Sequence, residues 1–95
     1  MNISHFKSDI APKLGSYILT YSSYPNGDFG SLERVEFSGN NLIGTLDFWS
    51  QGWLDINVYD CQQDEGLINR YYKPENIVEQ EEALRSLCKI LVDNK

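Results

Sequence analysis

Histidine is almost missing from this sequence. His5 is the only one, so a histidine-based triad would have to be built around that single residue, and a multi-histidine metal site has no second ligand. Cysteine is nearly as scarce, with Cys61 and Cys88 alone, and there is no CxxC, HExxH, GxxxxGK or GxGxxG pattern to suggest a zinc, redox or phosphate-binding loop. Basic residues are outnumbered, 8 Lys and Arg against 14 Asp and Glu, for a net charge of −6. That balance disfavours nucleic acid or an anionic membrane as a direct partner and suits a basic protein, although solubility alone also accounts for it. Long apolar runs are absent too. None approaches the ~20 residues of a membrane span, and the amino end lacks the continuous apolar stretch of a secretory leader. The chain is therefore expected to stay in the cytoplasm with reduced cysteines, Cys88 buried, and to hold no cofactor and no metal.

What is present amounts to one ordinary domain. Ninety-five residues, 41% hydrophobic and 23% charged, supply one core and no more, so residues 1–95 are expected to form a single unit. Ile3, Phe6, Ile10 and Leu14 recur at three- to four-residue intervals and mark a helical stripe that Pro12 ends or kinks. The β-branched and aromatic stretch 16–24 predicts a first strand, closed by the turn chemistry of PNGDFG. A second strand is expected over Leu32 to Phe37, where Val35 and Phe37 alternate with Arg34 and Glu36. Farther on, LINRYY predicts a fifth strand ended by Pro74. Asn76 and Glu79 have the spacing of a capping box, and Ile77, Leu84, Leu87, Cys88 and Leu91 share one side of a helix of about fifteen residues. The predicted fold is α+β: a four- to five-stranded antiparallel meander with an N-terminal and a C-terminal helix packed on it.

The segment LIGTLDFW-SQG-WLDINVYD is regular enough to fix a register on paper. A loop of Ser50, Gln51 and Gly52 sets Trp49 opposite Trp53, Asp47 opposite Asp55, Thr45 opposite Asn57 and Ile43 opposite Tyr59. Phe48, Leu46 and Gly44 then face Leu54, Ile56 and Val58, so one face of the hairpin is wholly apolar. A one-residue slip would bury the carboxylates. The mixed face asks for an explanation, because a soluble monomer gains nothing from presenting large aromatics to water. Either a helix covers it, or it is a binding surface in which Trp49, Trp53 and Tyr59 anchor a partner and Asp47, Asp55, Asp64 and Glu65 meet its cations. An acid/base pair of Asp47 and Asp55 is a further reading, but nothing in the sequence pushes their two pKa values apart.

The block RVEFSGNNLIGTLDFWSQGWLDINVYDCQQDEG, about the central third of the chain, resembles the core motif of the TriTu immunity family of contact-dependent growth inhibition systems. The resemblance is carried by Arg34, Val35, Phe37, Ile43, Gly44, Trp49, Gly52, Asp55, Val58 and Asp60. It implies two helices around a small antiparallel sheet, and a non-enzymatic antitoxin whose partner is the toxin domain delivered by a neighbouring cell. Such toxins look like transfer-RNA nucleases that engage elongation factor Tu, so a ternary complex formed through the toxin is also implied. Trp53, directly after the turn, departs from the smaller or charged residue of the family pattern, which keeps the partner's identity from transferring.

A nuclease needs a basic groove for RNA, and an acidic surface can occupy it, exclude the substrate and associate faster through steering. Because one free nuclease turns over many substrates, the expected affinity is nanomolar or tighter, about −12 kcal/mol. The same composition suits a generic acidic binding module or an inhibitor of another basic enzyme. A small sugar-binding hydrolase or a self-associating structural subunit would use the aromatic face differently, through a stacked ring or a second copy.

Overall fold

The computed structural model describes residues 2–94, and within them the chain is an α+β fold. The apolar stripe of the amino-terminal segment forms a helical path in three pieces: α1 (Ile3–His5), a wide π turn (Phe6–Ile10) and a 3₁₀ turn (Ala11–Lys13). Pro12 falls in the first positions of that last turn, where its missing N–H is no loss, and the helix ends at Leu14.

Five strands follow: β1 (Ile18–Gly27), β2 (Gly30–Gly39), β3 (Leu42–Trp49), β4 (Leu54–Asp60) and β5 (Glu65–Tyr72). Their spatial order is β1-β2-β3-β4-β5, each antiparallel to the next. The β3–β4 register is the one read from alternation: Phe48 faces Leu54, Asp47 faces Asp55, Thr45 faces Asn57 and Ile43 faces Tyr59. Trp49 N–H donates to the Trp53 carbonyl and closes the hairpin at 3.0 Å.

Strand ends differ from the sequence-based boundaries. β1 runs through Pro25 to Gly27, with a pairing irregularity between Tyr24 and Gly27, so the reversal contracts to Asp28 and Phe29. Proline is tolerated there because β1 is an edge strand and Pro25 lies in the bulge. β2 and β5 each begin two residues earlier than their apolar content suggested, since ladder pairing continues into the polar turns.

The closing helix, α2 (Ile77–Asp93), is two residues longer than about fifteen, and its start differs from the reading. Asn76 caps it by position but makes no side-chain capping bond, so the capping box with Glu79 is not formed. Ile77 is more than half exposed and not on the buried side. Gln80 takes that place at 2% exposure, its amide donating at 2.9 Å to the carbonyls of both Gly52 and Lys73. Gln80, Leu84, Leu87 and Leu91 form the buried stripe, with Cys88 half-buried against the core and unpaired.

Both helical segments pack on the same face of the sheet. Phe6, Ile10 and Leu14 from one and Leu84, Leu87 and Leu91 from the other join Val35, Phe37, Leu46, Phe48, Leu54, Ile56 and Val58 in one hydrophobic core. Gly44 lies in that layer because a Cβ would collide with the Phe37 ring and the Asn57 carbonyl oxygen. The two ends of the chain meet where the Tyr17 hydroxyl, 2.7 Å from the Leu91 carbonyl, donates to it.

Candidate functional site: the uncovered sheet face

With both helices on one side, the mixed polar and aromatic face of the sheet is left uncovered, and the register arranges it in rows across the strands. The first row is Ile18, Ser38, Ile43, Tyr59 and Gly66; the second is Thr20, Glu36, Thr45, Asn57 and Asn69. The third is Ser22, Arg34, Asp47, Asp55 and Tyr71, and the last brings Tyr24, Leu32, Trp49 and Trp53 together.

The last row and the turn above it form a second, smaller apolar cluster. Phe29 stacks on Trp53 with ring centroids 4.4 Å apart and meets Trp49 edge-on at 5.5 Å, while Tyr71 lies 6.0 Å from Trp53. Leu32 is buried between its partners Tyr24 and Trp49. The tryptophans are therefore half-buried, yet no helix covers them. They are sheltered by neighbouring aromatics on the open face, and Tyr24 and Tyr71 remain the exposed rings at this end.

The third row is charged and internally organised. Arg34 holds Asp47 with two bonds, Nε to Oδ1 at 2.7 Å and Nη2 to Oδ2 at 3.1 Å, the forked geometry that guanidinium and carboxylate favour. The hydrogen bond to Asp47 is the main cause of an Arg34 pKa raised above its ordinary value, with partial desolvation opposing it. Asp47 is only 7% exposed. Each of its oxygens accepts a bond from Arg34. Asp55, directly opposite Asp47, accepts a bond of 3.2 Å from Trp49 Nε1 and keeps part of its carboxylate accessible.

Tyr59 and Asp64 meet at the other end of the face, whereas Glu65 opens β5 opposite Asp60, in the row of the buried Leu42 and so on the helix-bearing side. The Tyr59 hydroxyl donates to Asp64 Oδ1, and this bond raises the phenol pKa. Asp64 is in the left-handed backbone region, φ 55°, in the turn before β5. Between this end and the middle of the sheet lies a shallow hollow of about 570 Å³, whose lining includes Ile18, Glu36, Ile43, Asn57, Tyr59 and Asn69.

The seven residues singled out from the sequence thus divide into an aromatic end (Trp49, Trp53, Asp55), a turn end (Tyr59, Asp64), the internal Asp47, and Glu65, which the register sets on the other side of the sheet. Sequence reasoning missed Phe29, Tyr24, Tyr71 and the hollow. Tyr71 and Asn69 alternate along LINRYY and carried a signal; Phe29 had none, because its role depends on how the β1–β2 turn folds over.

Elsewhere, His5 is exposed and its Nδ1 lies 3.0 Å from Asp9. Among the described residues no three His, Cys, Asp or Glu side chains gather in a way that could hold a metal ion, and no helix is long and apolar enough to cross a membrane. Comparison of the chain with protein-family models, with curated proteins and with solved structures finds no match.

Proposed function

We propose that this chain is an immunity protein that binds a basic toxin domain through its open sheet face and neutralises it by occupying the toxin's substrate-binding surface. The observation that carries the reading is the acidic balance of the open face. Arg34 is the one cation on the rows of the open face among the described residues, and Asp47 neutralises it. Glu36 and Asp55 stand on those rows and Asp64 in the adjoining turn, and among the described residues none of the three forms a salt bridge. Lys7, Lys13, Arg85 and Lys89 belong to the helical layer on the opposite side, which also carries Asp9, Glu79, Glu81, Glu82 and Asp93. A rigid five-stranded platform with exposed tyrosines and unmatched carboxylates is suited to a cationic protein surface. The resemblance of the central block to the TriTu immunity family supports a nuclease that engages elongation factor Tu as that partner, with the factor joining through the toxin.

The test is co-purification with the toxin domain encoded next to this chain, with and without elongation factor Tu, followed by a transfer-RNA cleavage assay. The expected result is a stable complex that abolishes cleavage and that Glu36→Lys together with Asp55→Lys weakens at least ~100-fold. Absence of a complex, or a complex indifferent to those two reversals, overturns the reading.

A further inference from the structure

Gly66 is a glycine that neither a left-handed backbone nor a close neighbour demands. Its backbone is outside the left-handed region, and a Cβ built on it would meet nothing within 4 Å. Glycine within a strand loses more chain entropy on folding than any other residue and weakens the element. Gly66 borders the β4–β5 bulge, and a Cβ on it would meet no neighbour, so the space above its backbone is open.

That space is the hollow on the open face. Gly66 stands opposite Tyr59 in the row that also holds Ile43 and Ile18. Those three side chains are exposed, Ile18 at 72% and Ile43 at 47%, and with Asn57, Asn69 and Glu36 they bound a depression of about 570 Å³. Its size is in the range of sites that take one compact organic group. The charge around it has one sign: Glu36 is the only charged group of the lining, and Asp64 lies in the turn that leads to Gly66.

We propose that this hollow is an anchoring pocket for one bulky apolar side chain of a basic protein partner, kept open by Gly66. The inference rests on the docking-face reading and specifies the partner's chemistry: an aromatic or branched aliphatic side chain with a cation beside it. The side chain packs on Ile18, Ile43 and Tyr59, the Asn57 and Asn69 amides lie at its edge, and the cation meets Glu36. A single apolar anchor set into an otherwise polar face is how interface energy is usually concentrated.

The probe is tryptophanamide, an aromatic group carrying a positive charge, titrated into the isolated protein and followed by amide chemical shifts. Wild type is expected to show saturable millimolar shifts confined to Ile43, Asn57, Tyr59, Asn69 and their neighbours. Gly66→Leu fills the hollow and is expected to weaken binding at least tenfold, while its melting temperature holds or rises by a few degrees. Ile43→Gln, which leaves Gly66 in place, is expected to weaken binding as well and guards against a folding defect in the leucine variant. Shifts centred instead on Trp53 and Tyr71, no localised shifts, or equal affinity in both variants overturn the pocket. The toxin domain separates the two readings. If wild type and Gly66→Leu bind it equally, the pocket fails and the docking face stands. If wild type does not bind it, the immunity reading fails, and the tryptophanamide titration still decides the pocket.

Discussion

Asp47 and Asp55 are neighbours with the same charge and opposite circumstances. Like charges directly opposed across a sheet destabilise it, and Arg34 relieves the repulsion by taking both oxygens of Asp47. Removing Asp47 would leave a partly desolvated guanidinium without its partner. Asp47→Ala is therefore expected to cost about 1–3 kcal/mol in urea unfolding, the range for a lost hydrogen bond to a charged group, with Asp47→Asn costing less. Part of the loss should return in the Arg34→Ala, Asp47→Ala double variant. Tyr59 makes the complementary case for a surface group. Its bond to Asp64 holds the phenolic proton, so the folded chain ionises this tyrosine above the ordinary ~10. The raised value means that the bond contributes in full below about pH 10 and is lost as pH climbs through the folded pKa. Absorbance titration of tyrosinate should show a late step that disappears in Tyr59→Phe. The positions of Asp47 and Asp55 opposite one another were legible, because alternation in β3 and β4 is clean. The Arg34 clasp was not, since it depends on the β2–β3 register, which nothing in β2 alone determines.

At the scale of elements, α2 shows what a hydrophobic pattern can and cannot reveal. Leu84, Leu87 and Leu91 announced the buried stripe, but Ile77 was assigned to it and Gln80 was not, because the pattern carries no information about which backbone carbonyls await a donor. Gln80 continues the stripe at helical spacing, and its two amide hydrogens join the β3–β4 turn to the segment leading into α2. Gln80→Ala would strand two carbonyls beside a small void. The expected loss is about 1–3 kcal/mol, and hydrogen exchange should quicken around Gly52 and Lys73 more than in the sheet centre. Gln80→Glu should be no milder, since a carboxylate cannot donate to either carbonyl. The β1 ending was misplaced for a related reason: proline reads as a break, yet at a bulged edge it costs no ladder bond.

For the whole molecule, the order of helix, meander and helix was legible because each strand pairs with its sequence neighbour and needs no crossover to be inferred. Which face the helices choose stays open in the sequence, where a helix over the mixed face is one of two readings; in the fold both pack on the apolar side of the β3–β4 hairpin. The tryptophans were harder to place. A large aromatic on the mixed face looked exposed until Phe29 folded over it, and that contact belongs to a turn. Charge, by contrast, was known in amount and unknown in distribution; in the fold the open face is acidic, and carboxylates outnumber Lys and Arg on the helical layer as well. Association with a basic partner is therefore expected to slow steeply between ~0.05 and ~0.5 M salt while dissociation changes little, which stopped-flow fluorescence of the tryptophans can follow.

The bond between Tyr17 and the Leu91 carbonyl spans 74 residues, whereas the sheet is built from hairpins between adjacent strands. Hairpins of this kind form in about 1–10 μs, and local topology favours fast folding. Tying Tyr17 to the end of α2 closes a far longer loop than any hairpin, so it belongs after the rate-limiting step. Tyr17→Phe should then leave the refolding arm of the chevron where it is and raise the unfolding rate about fivefold, the equivalent of one lost bond of ~1 kcal/mol. A chain built this way acquires its open face early and its lifetime late: the sheet governs how soon it can act, and the joined termini govern how long it lasts.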